Sequence, residues 1–287
     1  MVAGATLLDY RDKYSTKVFF QKRIARAMVP FLFWSLFSVL YRYNISRWKQ
    51  EPIIDVLIGI FNSKYCSVYW FYIPLFAIYI SIPFLALVTK ELKIKAYFYA
   101  AVMAFALNSS LPLLFDLLKL KYNPSIRIPI AEGYVIYVFI GYLIANINIH
   151  PKYRALIYLL AIMGWATHFW GTSILSLSAG KVITTFKGYV KAPTVLHATG
   201  IMVACKNIDW EKLIGNRGMA IFNNLSKYTL GIYCTHYYLI MYCPKRFDIE
   251  IRSIYWRGLG PFIIFSLCLS LSVLIGKIPF VKKVIGL

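Results

Sequence analysis

Charged residues divide this 287-residue chain into long apolar stretches. Eight runs contain no Lys, Arg, Asp or Glu: 27–41, 65–89, 96–115, 133–151, 155–180, 192–205, 228–244 and 258–276. Random placement of the same charges would leave gaps of roughly six residues, so runs of this length are a pattern. A hydrocarbon core is crossed by about 20 helical residues, and basic side chains at the edge of a shorter run can snorkel outward and extend it. The runs are too long and too uniformly apolar for the alternation over about 10 residues that marks barrel strands. The pattern predicts an all-α, polytopic transmembrane helical bundle with about eight spanning helices. With no internal repeat and no composition shift, residues 1–287 read as a single membrane-embedded domain.

Composition sharpens this reading. Apolar residues make up 60% of the chain and charged residues 15%, and mean hydropathy is +0.62. An average soluble domain is about 45–50% apolar and about 25% charged, so a soluble enzyme and a disordered chain are both excluded. The net charge of +21 does not point to nucleic acid. Its Lys and Arg arrive in short bursts between apolar runs and form no single basic stripe beside stacking aromatics. Loops 9–26, 89–95, 147–154, 206–227 and the tail 277–287 hold 18 of the 32 basic residues, and the alternate loops 42–64, 117–132, 176–191 and 245–257 hold 14. The excess assigns the first set, with the C-terminus, to the cytoplasm.

The apolar opening Met1 to Leu8 is too short to span a bilayer and lacks the basic region of a signal peptide. It reads as the last two turns of a helix. Five cysteines (Cys66, Cys205, Cys234, Cys243 and Cys268) are spread along the chain with no ligand-like spacing, so they read as packing residues, without metal or disulfide chemistry.

Three features carry possible chemistry. Arg23 and Arg26 stand three residues apart at the entry to the first long run, so on an α-helix they share a face and present two guanidinium forks to phosphate. The same residues also read as a topology anchor. His168, His197 and His236 lie inside predicted helices, where an ionisable group is costly enough to suggest function, although a neutral His bonded to a neighbouring helix explains each one. Glu132 stands at the start of the run 133–151 and faces either a polar cavity or water. Tyr, Phe and Trp number 23, 20 and 7 and crowd the helix ends. They fit interfacial belts, and sugar-stacking platforms equally.

Four segments, taken in order, are similar to the acyltransferase 3 family of integral membrane acyltransferases, and particularly to bacterial O-acetyltransferases of surface polysaccharides. Ala3, Gly4, Leu7 and Leu8 resemble the Ser-Gly-x-Leu-Leu end of the family's second helix. Phe19 to Pro30, with Arg23 and Arg26, resembles its Arg-x-x-Arg segment leading into the third helix. Tyr69, Trp70, Phe71 and Tyr72, followed by Tyr79 and Pro83, resemble its Trp-Phe segment, and Ser226 to His236 resembles its Ser-x-x-Leu-Gly-Ile-Tyr-x-x-His segment. The resemblance extends over essentially the whole chain.

The resemblance implies transfer of an acetyl group from acetyl-CoA to a hydroxyl of a cell-surface glycan or its lipid-linked precursor. The setting it implies is a bacterial inner membrane, with membrane lipid and a glycan as partners and no metal. Arg23 and Arg26 then match the donor-binding pair, and Trp70, Tyr72, Glu132 and His236 are expected near the substrate cavity. The family's first helix carries a basic residue and, some ten positions later, a histidine acting as general base. These 287 residues contain no such helix, and Ala3 replaces the usual Ser. The expected explanations are a start upstream of Met1, a truncated and inactive product, or substitution by another intramembrane histidine, with His236 and His197 as candidates. A transporter or flippase of an anionic or lipid-linked substrate is the alternative, although the sequence lacks the paired inverted halves common in transporters.

Overall fold

The computed structural model describes residues 1–46, 51–88, 90–279 and 281–287, and every regular element among them is helical. Arg47 and Lys49, counted above in the loop 42–64, lie outside the described residues. Each of the eight charge-free runs is helical over most of its described residues. Among the described residues five helical stretches are long and apolar enough to cross a membrane: Thr16–Arg42, Ser67–Leu85, Glu91–Leu117, Pro151–Ala179 and Ile254–Gly276. The other three runs form helices Val135–Asn146, Ala192–Asn207 and Thr229–Arg246. The first two fall short of the length about 20 residues provide. The third is diluted by Thr229, Thr235, His236 and its terminal Lys245 and Arg246. Among the described residues, five of the eight charge-free runs thus meet both the length and the hydropathy of a full span, because freedom from charge alone does not guarantee either.

Two compact units can be distinguished, each discontinuous in sequence. The first comprises Met1–Tyr14 and Ile80–Ile208. Its opening segment forms the short helix Val2–Leu7, as expected from the apolar start, and packs on Val135–Asn146. The contact is backbone on backbone: a Cβ on Gly4 would lie 1.9 Å from the Val138 carbonyl oxygen, and one on Gly141 would lie 2.0 Å from that of Met1. Small residues allow this approach, which is how helices associate where lipid removes the hydrophobic drive. Pro151–Ala166 and Ala192–Asn207 pair by the same device, with Gly200 against Ala161. Lys93 is buried and reaches the Asp9 carboxylate at 2.7 Å and the Leu8 carbonyl at 3.4 Å, so its charge is compensated. Lys206 donates to the carbonyls of Ile144, Ala145 and Ile147, satisfying the open C-terminal end of Val135–Asn146.

The second unit comprises Ser15–Tyr79 and Asp209–Leu287. Its core is aromatic, with Phe31, Trp34, Tyr69, Tyr72, Cys234 and Tyr238 all buried together. The buried hydroxyls are paired in a chain. Tyr69 Oη donates to the Cys234 carbonyl at 2.7 Å and to Tyr238 Oη at 3.2 Å, and Tyr238 Oη donates to the Trp34 carbonyl at 3.1 Å. Ser38 Oγ also donates to the Trp34 carbonyl, at 2.8 Å. This network fixes the relative placement of Val29–Ser46, the segment around Tyr69 and Thr229–Arg246, since an unpaired hydroxyl at such depth would be costly. Thr229–Arg246 in turn packs on Ile254–Gly276, with Gly231 tight against Ser272.

Candidate functional site

The arginine pair occupies a break in helical register. The α-helix Thr16–Arg23, capped by the Ser15 hydroxyl, gives way to a π turn over Ile24–Met28 before Val29–Ser46 resumes α geometry. A π turn inserts one residue into the helix and often marks functional positions. It also changes the expectation for Arg23 and Arg26, because the wider π turn rotates residues three apart off the face they would share in an α-helix. The structure gives the two arginines different surroundings. Arg23 is half-buried, with its guanidinium carbon 5.6 Å from the Tyr79 ring centre and 5.8 Å from that of Phe19. Arg26 is exposed. The Arg23 Nε is buried without a hydrogen-bond partner among the described residues. A buried donor left unpaired costs about 1–3 kcal/mol, more when charged, and an anionic oxygen would satisfy it.

A second element at this turn is not apparent from the sequence. The C-terminal segment Val281–Ile285 folds into a 3-10 turn, with Ile285 fully buried and the Val284 carbonyl accepting from Trp34 Nε1 at 2.8 Å. Gly286 has φ +80°, and a Cβ there would lie 3.0 Å from the Arg26 carbonyl oxygen and 2.7 Å from Leu230 Cδ2. Glycine is thus required on both conformational and steric grounds. The turn also carries exposed Lys282 and Lys283, so further positive charge accompanies the arginine pair. Trp34→Phe removes the indole donor while keeping most of the packing. It is expected to speed proteolytic trimming of residues 281–287 several-fold at unchanged expression, as read by limited carboxypeptidase digestion and mass spectrometry.

The remaining candidates are dispersed. His236 is half-buried, and its Nδ1 lies 2.6 Å from the Tyr233 carbonyl. A carbonyl only accepts, so Nδ1 is the donor in this contact, and in the neutral ring Nε2 is then the acceptor. The ring lines an apolar cavity of about 530 Å³ together with Trp256, Arg257 and Phe265. Tyr72 is 1% exposed and its hydroxyl is 3.1 Å from Cys234 Sγ, whereas Trp70 is half-buried with its ring beside Phe71. His197 and Glu132 belong to the other unit. His197 lines a cleft of about 330 Å³ whose other walls include Tyr158, Ile162 and Trp165, and among the described residues no cation shares it. Glu132 is exposed, pairs with Arg127 at 3.2 Å, and borders a small cavity of about 180 Å³ with Asn108 and Lys191. His168 Nδ1 lies 3.5 Å from Thr194 Oγ1, which accords with a helix-packing role.

A cavity that sequence reasoning missed lies at the far end of Thr16–Arg42. It measures about 440 Å³ and is lined by Arg42, Lys245 and Arg246 with Tyr41, Tyr65 and Tyr242. Arg42 follows Arg23 by 19 positions along one helical stretch, a rise of about 28 Å, which matches the thickness of a hydrocarbon core. Cationic groups therefore mark both ends of this span. The signal available in the sequence was the recurrence of Tyr beside Arg or Lys at two helix ends, which an interfacial belt also explains.

A family model described as an acyltransferase domain, Acyl_transf_3, matches residues 1–278, nearly the whole chain. No curated protein and no solved structure matches.

Proposed function

From the premise that the chain belongs to the acyltransferase 3 family and is an integral membrane protein, we propose that it transfers an acetyl group from acetyl-CoA to a hydroxyl of a cell-surface glycan or its lipid-linked precursor in a bacterial inner membrane. The observation that carries this reading is the Arg23 and Arg26 turn. It combines a half-buried guanidinium with an unpaired donor, an exposed second guanidinium, and the adjacent lysines of the C-terminal turn. Such a group suits the phosphates of coenzyme A, and the excess of basic residues assigns this end of the span to the cytoplasm, where the thioester is made.

In the reaction the acceptor hydroxyl oxygen bonds to the acetyl carbonyl carbon, the carbon–sulfur bond breaks, and coenzyme A leaves as the thiol. The hydroxyl proton passes to a base within hydrogen-bond reach. His236 suits that role better than His197, because its Nε2 is an open acceptor and its cavity contains a cation, Arg257. Arg257 can stabilise negative charge on the carbonyl oxygen as the tetrahedral intermediate forms.

The test is incorporation of radiolabelled acetyl from acetyl-CoA into glycolipid by membranes containing the 287-residue chain. Incorporation is expected to fall at least about 30-fold in His236→Gln at equal protein level. Movement of labelled glycolipid across proteoliposomes, without acetylation, would instead support the transporter reading.

A further inference from the structure

We propose that the cavity walled by Arg42, Lys245 and Arg246 binds the phosphoryl group of a lipid-anchored acceptor, so that the acceptor is a glycan carried on an isoprenoid phosphate or diphosphate. The acetyl-transfer reading identifies this ligand as the acceptor. The affinity of the cavity for phosphate is argued independently, from its geometry.

Among the described residues three cations line the cavity and no carboxylate does. Among the described residues none of the three forms an ion pair, whereas nearby Lys64 is paired with Glu51 at 2.8 Å. Like charges converging in a partly enclosed space repel, and an anion between them reverses the sign of that energy. Arg42 Nη1 donates to the Lys64 carbonyl at 3.1 Å, which orients its guanidinium and leaves further N–H groups to present. Lys245 and Arg246 close the last turn of Thr229–Arg246, where the helix dipole favours positive charge, so they are held there without any ligand. Convergence with Arg42, which comes from a different helix, is what that local preference leaves unexplained.

The tyrosines supply the rest of the site. Tyr41 and Tyr242 offer ring faces for a sugar and hydroxyls for its oxygens, and Tyr65 backs the wall. Tyr65 donates to Glu51 at 2.8 Å, and burial together with that carboxylate pushes its phenol up to about 12, so it stays protonated at working pH. The cavity volume lies within the range of about 300–1,000 Å³ typical of small-molecule sites. Its position decides between anions. It opens where the helix from Arg23 has risen through one hydrocarbon thickness, the depth at which an isoprenoid phosphate rests with its chain in the lipid. On the charge count this end is the non-cytoplasmic one, where the positive-inside rule supplies no reason for a basic cluster.

Binding to the 287-residue chain in nanodiscs of neutral lipid provides the test, with farnesyl diphosphate, inorganic pyrophosphate, farnesol and glucuronate as probes. Farnesyl diphosphate is expected to bind at least about tenfold more tightly than either pyrophosphate or farnesol, because the site uses both the charge and the lipid depth. Affinity should fall with added salt and drop at least about tenfold in the triple variant Arg42→Gln, Lys245→Gln, Arg246→Gln. Arg42→Lys with Arg246→Lys, which keeps the charge, should remain within about threefold of wild type. Coenzyme A binding, measured in parallel, should survive the triple variant, which verifies the fold, and should be lost in Arg23→Ala. Equal affinity for farnesyl diphosphate in wild type and triple variant would overturn the proposal, as would salt-independent binding or equally effective competition by glucuronate. Failure of coenzyme A to bind wild type would sink the acyl-transfer reading while leaving the phosphate site standing.

Discussion

Arg23→Ala is expected to reduce acetyl incorporation by at least about 100-fold, the largest functional effect of any single substitution in this chain. Removing one partner of a buried, charge-assisted contact costs about 2–5 kcal/mol, and 100-fold corresponds to about 2.7 kcal/mol. Arg23 has this weight because Tyr79 and Phe19 hold its guanidinium in place and its Nε has no protein acceptor among the described residues. Arg26→Ala is expected to act in the same direction by a smaller factor, since exposure to water weakens each contact the side chain makes. Tyr79→Leu removes the cation–π contact while keeping an apolar side chain against the core, and should cost less than about tenfold. The measurement is acetyl transfer at saturating and limiting acetyl-CoA, with protein level checked by immunoblot. A donor-binding role places most of the loss at limiting acetyl-CoA, and a mere membrane anchor leaves transfer near wild type in both arginine variants.

The largest loss of stability is expected at the Gly4 and Gly141 crossing. A valine at either position must place carbon within about 2 Å of a backbone carbonyl oxygen, and backbone cannot swing aside as a side-chain tip can. Overpacking a core ordinarily costs about 1–3 kcal/mol. Here the helices themselves must separate, so Gly4→Val and Gly141→Val are each expected to cost about 3 kcal/mol or more. The readout is thermal stability in detergent by size-exclusion chromatography with fluorescence detection, and the expected decrease in Tm is about 6–12 °C. Gly258→Ala is the control: nothing lies within 4 Å of its would-be Cβ, and alanine is the better helix former, so Tm should hold or rise slightly. An unchanged Tm in both valine variants would contradict the crossing.

Much of the fold was legible because charge is so costly in lipid that its absence outlines the helices directly. Each run, from 27–41 to 258–276, is helical over most of its described residues. Their number as long apolar spans was not legible, since Thr229–Arg246 is free of charge for most of its length yet too polar in its His236 and Thr235 turn. The site was legible in part. Arg23 and Arg26 stood out as a pair, but the π turn that separates their surroundings reflects tertiary packing and leaves no periodicity to read. The cation cavity was hidden for another reason: Arg42 and Lys245 lie about two hundred positions apart, and no local spacing joins them. His236 was expected at the cavity from its motif and Glu132 from its place at the start of a helix, and the structure assigns the two to separate compact units.

The register break at Ile24–Met28 also bears on insertions and deletions in this segment. Because a π turn holds one residue more than α geometry requires, losing any single codon from 24 to 28 would let the helix close into continuous α form at little cost in backbone hydrogen bonds. Phase would be kept, because five residues of π turn and four of α-helix both sweep about 400°, so the flanking segments stay aligned and Arg23 stays over the Tyr79 ring while the bulge around Arg26 disappears. As a span the segment therefore tolerates the loss of one residue, and what such a loss removes is the local widening that gives Arg23 and Arg26 different surroundings.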